Sequence, residues 1–145
     1  MRILIDADGC PTVGITMKVA KEYGIECIIL CDTSHIFERE GATTITVSKG
    51  ADSVDFALVN MVNSRDIVVT QDYALAAMCL ARGAFPINQD GMIYSDDNIH
   101  SLLEQRYMAR KIRRGGGRLR GPSKRTREQD EAFANSLNKI ISKEL

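Results

Sequence analysis

Asp6 and Asp8 follow the short apolar run Ile3-Leu4-Ile5. Asp72 follows Asp66-Ile67-Val68-Val69-Thr70 by one residue, and Asp52 and Asp55 open the apolar segment after Thr43–Val47. Asp6 directly ends a buried run, where a carboxylate is costly without a partner. Asp52 and Asp55 are three apart and share a helix face. Brought together, the five carboxylates Asp6, Asp8, Asp52, Asp55 and Asp72 would offer oxygen ligands that suit Mg²⁺ or Mn²⁺ rather than zinc. Without a cation they would raise one another's pKa values. Asp6, Asp8 and Asp72 are the catalytic candidates. Another reading stays open for Asp52 and Asp72, because an aspartate at a helix start caps free N–H groups and complements the dipole. Beside the acids, Lys49, Thr70 and Gln71 are candidate phosphate contacts, with solvated or capping roles as the alternative.

The net charge of zero conceals a segregation. Residues 1–105 hold seven Lys/Arg against fifteen Asp/Glu, whereas residues 106–127 hold ten Lys/Arg and no acid. An acidic body carrying one basic segment points to a cation in one place and a polyanion in another. The Gly/Arg-rich stretch at about 111–125 can follow a phosphate backbone, giving salt-sensitive affinity. Arg113, Arg114, Arg118, Arg120, Lys124 and Arg125 are the nucleic-acid-binding candidates. Tyr107 is the sole aromatic of this segment, so recognition is expected to run through phosphates rather than stacked bases. The competing reading folds the segment back onto the acids as an internal clasp.

These residues need a scaffold. Strands are expected at Ile3–Asp6, Glu26–Cys31, Thr43–Val47, Asp66–Thr70 and Ala84–Asn88, with Pro86 marking an edge strand. Helices are expected from about Pro11 to Tyr23, over 51–62, around Leu75–Ala81 and from Ile99 to Arg110, with loop over 113–122. A last helix at about 126–143 opens on the capping box Thr126-Arg127-Glu128-Gln129. Strands alternating with helices predict a single α/β domain over 1–145. It would have three layers, a mostly parallel central sheet of four to five strands, and C-terminal helices. In such sheets ligands gather beyond the strands' carboxyl ends, where these acids fall.

Cysteine usage adds little. Cys27, Cys31 and Cys79 read as small buried hydrophobes, and Cys10 lies in the Asp-rich turn without a local histidine base. No apolar run approaches the roughly 18 residues that span a membrane. The opening Met1–Asp6 is too short and too soon charged for a signal peptide, so the expected location is the cytoplasm.

Four segments together resemble the YaiI/YqxD family of bacterial proteins: Asp6-Ala7-Asp8-Gly9-Cys10-Pro11, Gly50–Asp55, Val69–Ala76 and Gly116–Pro122. Gly9 stands where the family usually has alanine, which leaves both carboxylates in place. That family is similar to PIN-like and NYN nuclease domains. The resemblance implies a parallel sheet with an aspartate cluster holding Mg²⁺ or Mn²⁺, formed by Asp6, by Asp52 or Asp55, and by Asp72. It carries no settled activity.

The first expectation for function is therefore a metal-dependent nuclease acting on RNA. The alternative is a non-catalytic RNA- or ribosome-binding module using residues 106–127. A lesser alternative is a small-molecule phosphohydrolase, since Asp6-x-Asp8 superficially resembles the nucleophile motif of haloacid-dehalogenase-like phosphatases. Gly9-Cys10 does not continue that motif.

Overall fold

Residues 1–33, 39–50, 52–116 and 124–145 are described by the computed structural model. The β-branched runs form five strands: β1 (Arg2–Asp6), β2 (Glu26–Asp32), β3 (Thr43–Val47), β4 (Ile67–Val69) and β5 (Phe85–Ile87). They make one sheet in the order β3-β2-β1-β4-β5 with every pair parallel. Parallel strands need crossovers: α1 (Val13–Tyr23) joins β1 to β2, α2 (Ser53–Met61) joins β3 to β4, and α3 (Tyr73–Ala81) joins β4 to β5. Beyond the sheet lie α4 (Ile99–Arg114) and α5 (Arg127–Glu144).

Alternation along the strands sends side chains to two faces. Ile3, Ile5 and Ile29 pack with α1 and with Phe133, Leu137 and Ile141 of α5. Leu4, Ile28 and Leu30 pack with Leu58 of α2 and Leu75 of α3. The single α/β domain with a parallel central sheet and C-terminal helices is thus as expected. Pro86 sits in β5 at the sheet edge, where its missing N–H breaks no ladder. The capping box is present, with the Thr126 side chain accepting from Gln129 N.

The basic segment departs from expectation. Helix α4 continues to Arg114, so Lys111, Arg113 and Arg114 are helical rather than loop. Cations in a last turn complement the dipole, and the first breakers are Gly115 and Gly116, the latter at φ 84°. Arg118 and Arg120 lie outside the described residues.

At the amino end of the sheet, buried Asp66 is fully engaged. It accepts from Arg2 N at 3.0 Å, Asn63 N at 2.8 Å and the Arg2 guanidinium at 2.8 Å. A buried carboxylate needs such a set of donors. The carboxyl end is arranged differently.

Candidate functional site

The order of strand addition switches sides between β1 and β4, since β2 and β3 lie to one side and β5 to the other. That switch point opens a crevice at the strands' carboxyl ends. Here it is a cleft of about 580 Å³ lined by Asp6, Asp8, Asp32, Asp52, Asp55, Gln71, Asp72, Tyr73 and Arg106, among others. All five acids expected from the sequence line it. Asp32 is a sixth that was missed, although it ends an apolar strand just as Asp6 does.

Thr70, just after β4, couples two of these acids. Its hydroxyl donates to Asp6 Oδ2 at 2.8 Å and accepts from Asp72 N at 3.0 Å. The residue is buried and Tyr94 Oη donates to its carbonyl at 3.1 Å. Its hydroxyl, expected as a candidate phosphate contact, is thus engaged by Asp6 and the Asp72 amide. Asp8 Oδ2 accepts from Asp32 N at 3.1 Å, which ties the first turn to the end of β2. Gln71 Nε2 donates to Gly9 O at 2.8 Å. Lys49 is exposed and does not line the cleft.

Asp72 does cap a helix. Its Oδ1 accepts from Ala74 N at 2.9 Å and Leu75 N at 3.2 Å, the first free donors of α3. The same oxygen meets Arg106 Nη1 at 3.1 Å. Arg106 reaches over from α4, so one basic residue stands directly among the acids. Asp52 occupies the N-cap of α2 at φ 62° but makes no side-chain cap bond.

The electrostatics reflect crowding. Burial pushes Asp6 up to about 6 against the Thr70 hydrogen bond, and the charges of Asp72 and Asp8 add to the rise. Burial also pushes Asp55 up to about 7, helped by Asp72, Asp6 and Asp52 and by a hydrogen bond shared with Asp72. A cation would relieve this repulsion. The donor set is all carboxylate oxygen and fits a hard divalent ion in its chemistry. In the arrangement described, however, no three His, Cys, Asp or Glu side chains among the described residues are grouped to hold one ion. Asp72 in particular is engaged by Arg106 and α3.

Cys10 lies nearby, with Sγ 3.4 Å from Thr12 Oγ1. Burial raises its pKa, which favours the thiol and argues against a nucleophile.

The basic candidates divide. Arg125 pairs with Asp90 at 2.8 Å and Asp130 at 2.6 Å and donates to the Gln89 carbonyl. It clasps the turn after β5 to α5, contrary to the expectation that it offers its charge to a polyanion. Arg113, Arg114 and Lys124 are exposed.

The fold and cleft together define a parallel α/β domain with a carboxylate-lined crevice at its switch point. The chain belongs to the family described as "Uncharacterized BCR, YaiI/YqxD family", whose model matches residues 4–143. It is 53% identical to a UPF0178 protein of Ruminiclostridium cellulolyticum, across 99% of this chain and 94% of that one. It is 49% identical to a UPF0178 protein of Exiguobacterium sibiricum, across 98% and 97%. Among solved structures, Rae1 (YacP) from Bacillus subtilis, a W164L mutant, aligns over 99% of each chain at 13% identity. Its TM-score of 0.45 is too loose to build on. Among the described residues, no helix is long and apolar enough to cross a membrane.

Proposed function

We propose that this protein is a Mg²⁺- or Mn²⁺-dependent, PIN-like nuclease that cleaves RNA in the cytoplasm. The observation that carries the reading is one cleft lined by six aspartates from four segments of the chain, with Arg106 paired to one of them, Asp72. A bound divalent ion would supply Lewis acidity to the phosphodiester and acidify the attacking water. Asp6, Asp8 and Asp72, with Asp52 and Asp55, are the residues that would hold it. The protein's own share is positional. Thr70 fixes Asp6 relative to the backbone of Asp72, and Arg106 places a guanidinium where it can pair with a phosphate oxygen. A phosphate taking Arg106 would lift that positive charge from Asp72 Oδ1, which the α3 amides would still hold, so substrate and cation would support each other's binding.

The test is incubation of the full chain with labelled single-stranded and structured RNA in Mg²⁺ or Mn²⁺. Cation-dependent cleavage is expected, falling by about 100-fold or more in Asp6→Asn and Asp72→Asn, as when electrostatic transition-state stabilisation is removed. Absent cleavage, or cleavage unchanged in both variants, overturns the reading.

One observation favours a second reading. Asp72 Oδ1 is already engaged by Arg106 and the α3 amides, as in a site that needs no ion. A non-catalytic RNA-binding module would bind RNA in a salt-sensitive manner, indifferent to EDTA, without cutting it.

A further inference from the structure

A second groove adjoins the acidic cleft and shares Asp52, Asp55, Asp72 and Arg106 with it. It has a volume of about 450 Å³ and runs between α2 and α4. Phe56 of α2 and Tyr107 of α4 line it, with Met78 of α3 and Arg110 of α4. Phe56 is 63% exposed and Tyr107 65%, the two most exposed aromatic side chains among the described residues. Scattered surface aromatics need no explanation. Here both fall in one groove, on different helices, with Arg106 and Arg110 lining the same groove.

We propose that this groove is a stacking subsite for unpaired nucleotides of a single-stranded nucleic acid whose backbone continues into the acidic cleft. The direction of the strand rests on reading that cleft as the cleavage site; the binding itself does not. Exposed aromatic rings offer π-faces that any base can use, and arginines along the same wall pair with the intervening phosphates. A duplex keeps its bases stacked on each other and presents none to the rings. The groove's three aspartates lie at the end it shares with the acidic cleft, and its two arginines come from α4, whose basic run beyond the groove favours a polyanion over an apolar protein partner. From Arg106 to Arg114, α4 carries Arg106, Arg110, Lys111, Arg113 and Arg114 and no acid. Stacking was not expected from the sequence, where Tyr107 stood alone among the basic residues; its companion Phe56 comes from a helix some fifty positions earlier.

The experiment measures anisotropy of labelled oligouridylate and oligoadenylate, single-stranded and as the annealed duplex, on the full chain in EDTA. Phe56→Ala and Tyr107→Ala are each expected to weaken single-strand binding about tenfold, consistent with the loss of one stacked base. Both should leave duplex binding unchanged, and Tyr107→Phe should retain wild-type affinity. Arg110→Ala should instead lower the salt dependence by about one phosphate contact. Since both rings are exposed, circular dichroism of the variants should match wild type. Wild-type affinity in both alanine variants, or an equal loss on duplex, overturns the proposal. So does absence of strand binding with a change of oligomeric state in the variants, which would mark a protein contact. Tight, ring-dependent binding without cleavage in Mg²⁺ or Mn²⁺ would retain the groove and dismiss the nuclease. Cleavage with ring-independent binding would do the reverse.

Discussion

Asp6 and Asp55 are carboxyls that the fold holds above their ordinary range, at about 6 and about 7, chiefly through burial. Below about pH 3 they are protonated in both the folded and unfolded chain. Between there and about pH 7 the unfolded chain has released protons that the fold retains, so their contribution to stability falls as pH rises. Above about pH 7 the penalty is complete. Asp55→Asn should therefore melt close to wild type at pH 4 and above it at pH 8, by calorimetry on metal-free protein. A saturating divalent cation should narrow the gap at pH 8. At this scale the sequence was informative about the acids and silent about their partners. Asp6, Asp8, Asp52, Asp55 and Asp72 were legible because each follows or opens an apolar element. Asp32 obeys the same rule. The roles of Thr70 and Arg106 were not legible, since a hydroxyl's partner and a guanidinium's reach depend on tertiary placement.

The helices set that placement. The boundaries of β3 and the start of α5 follow from local signals, a β-branched run and a capping box. The end of α4 does not, because its arginines suit either a solvated loop or a helical last turn. Docking of α4 on α3 through Leu102, Leu103 and Tyr73 brings Arg106 to the acids and Tyr107 into the groove that Phe56 lines. Helix α5 closes the other face through Phe133, Leu137 and Ile141, all with 0% exposure. Phe133→Ala should cost about 3–5 kcal/mol by urea denaturation, the range for a fully buried phenylalanine. Thr126→Ala should cost only about 1 kcal/mol, the loss of an N-cap bond.

For the whole molecule, the basic residues after Gln105 divide between paired and exposed. Arg125 is spent within the fold, pinning Asp90 and Asp130, while Arg113 and Arg114 remain exposed at the end of α4. Arg125 pairs with Asp90 and Asp130 rather than with the acids of the cleft, which Arg106 alone of the described basic residues is seen to reach, and the polyanion contact stays a proposal for the exposed Arg113 and Arg114. Arg125→Ala should lower stability by about 1–2 kcal/mol, as for a charge-assisted pair at a partly exposed site, with little change in the salt slope of RNA binding. Arg113→Ala with Arg114→Ala should leave the melting temperature in place and reduce that slope by about two phosphate contacts. Paired denaturation and salt-titration curves would separate the two groups.

The most direct measurement of the proposed cation site is a titration of Mn²⁺ into metal-free protein at pH 8, followed by electron paramagnetic resonance of the free ion. Saturable binding that is lost in Asp6→Asn and Asp72→Asn is the expected result. Either no saturable binding, or binding that both variants retain, would contradict a cation site in the acidic cleft.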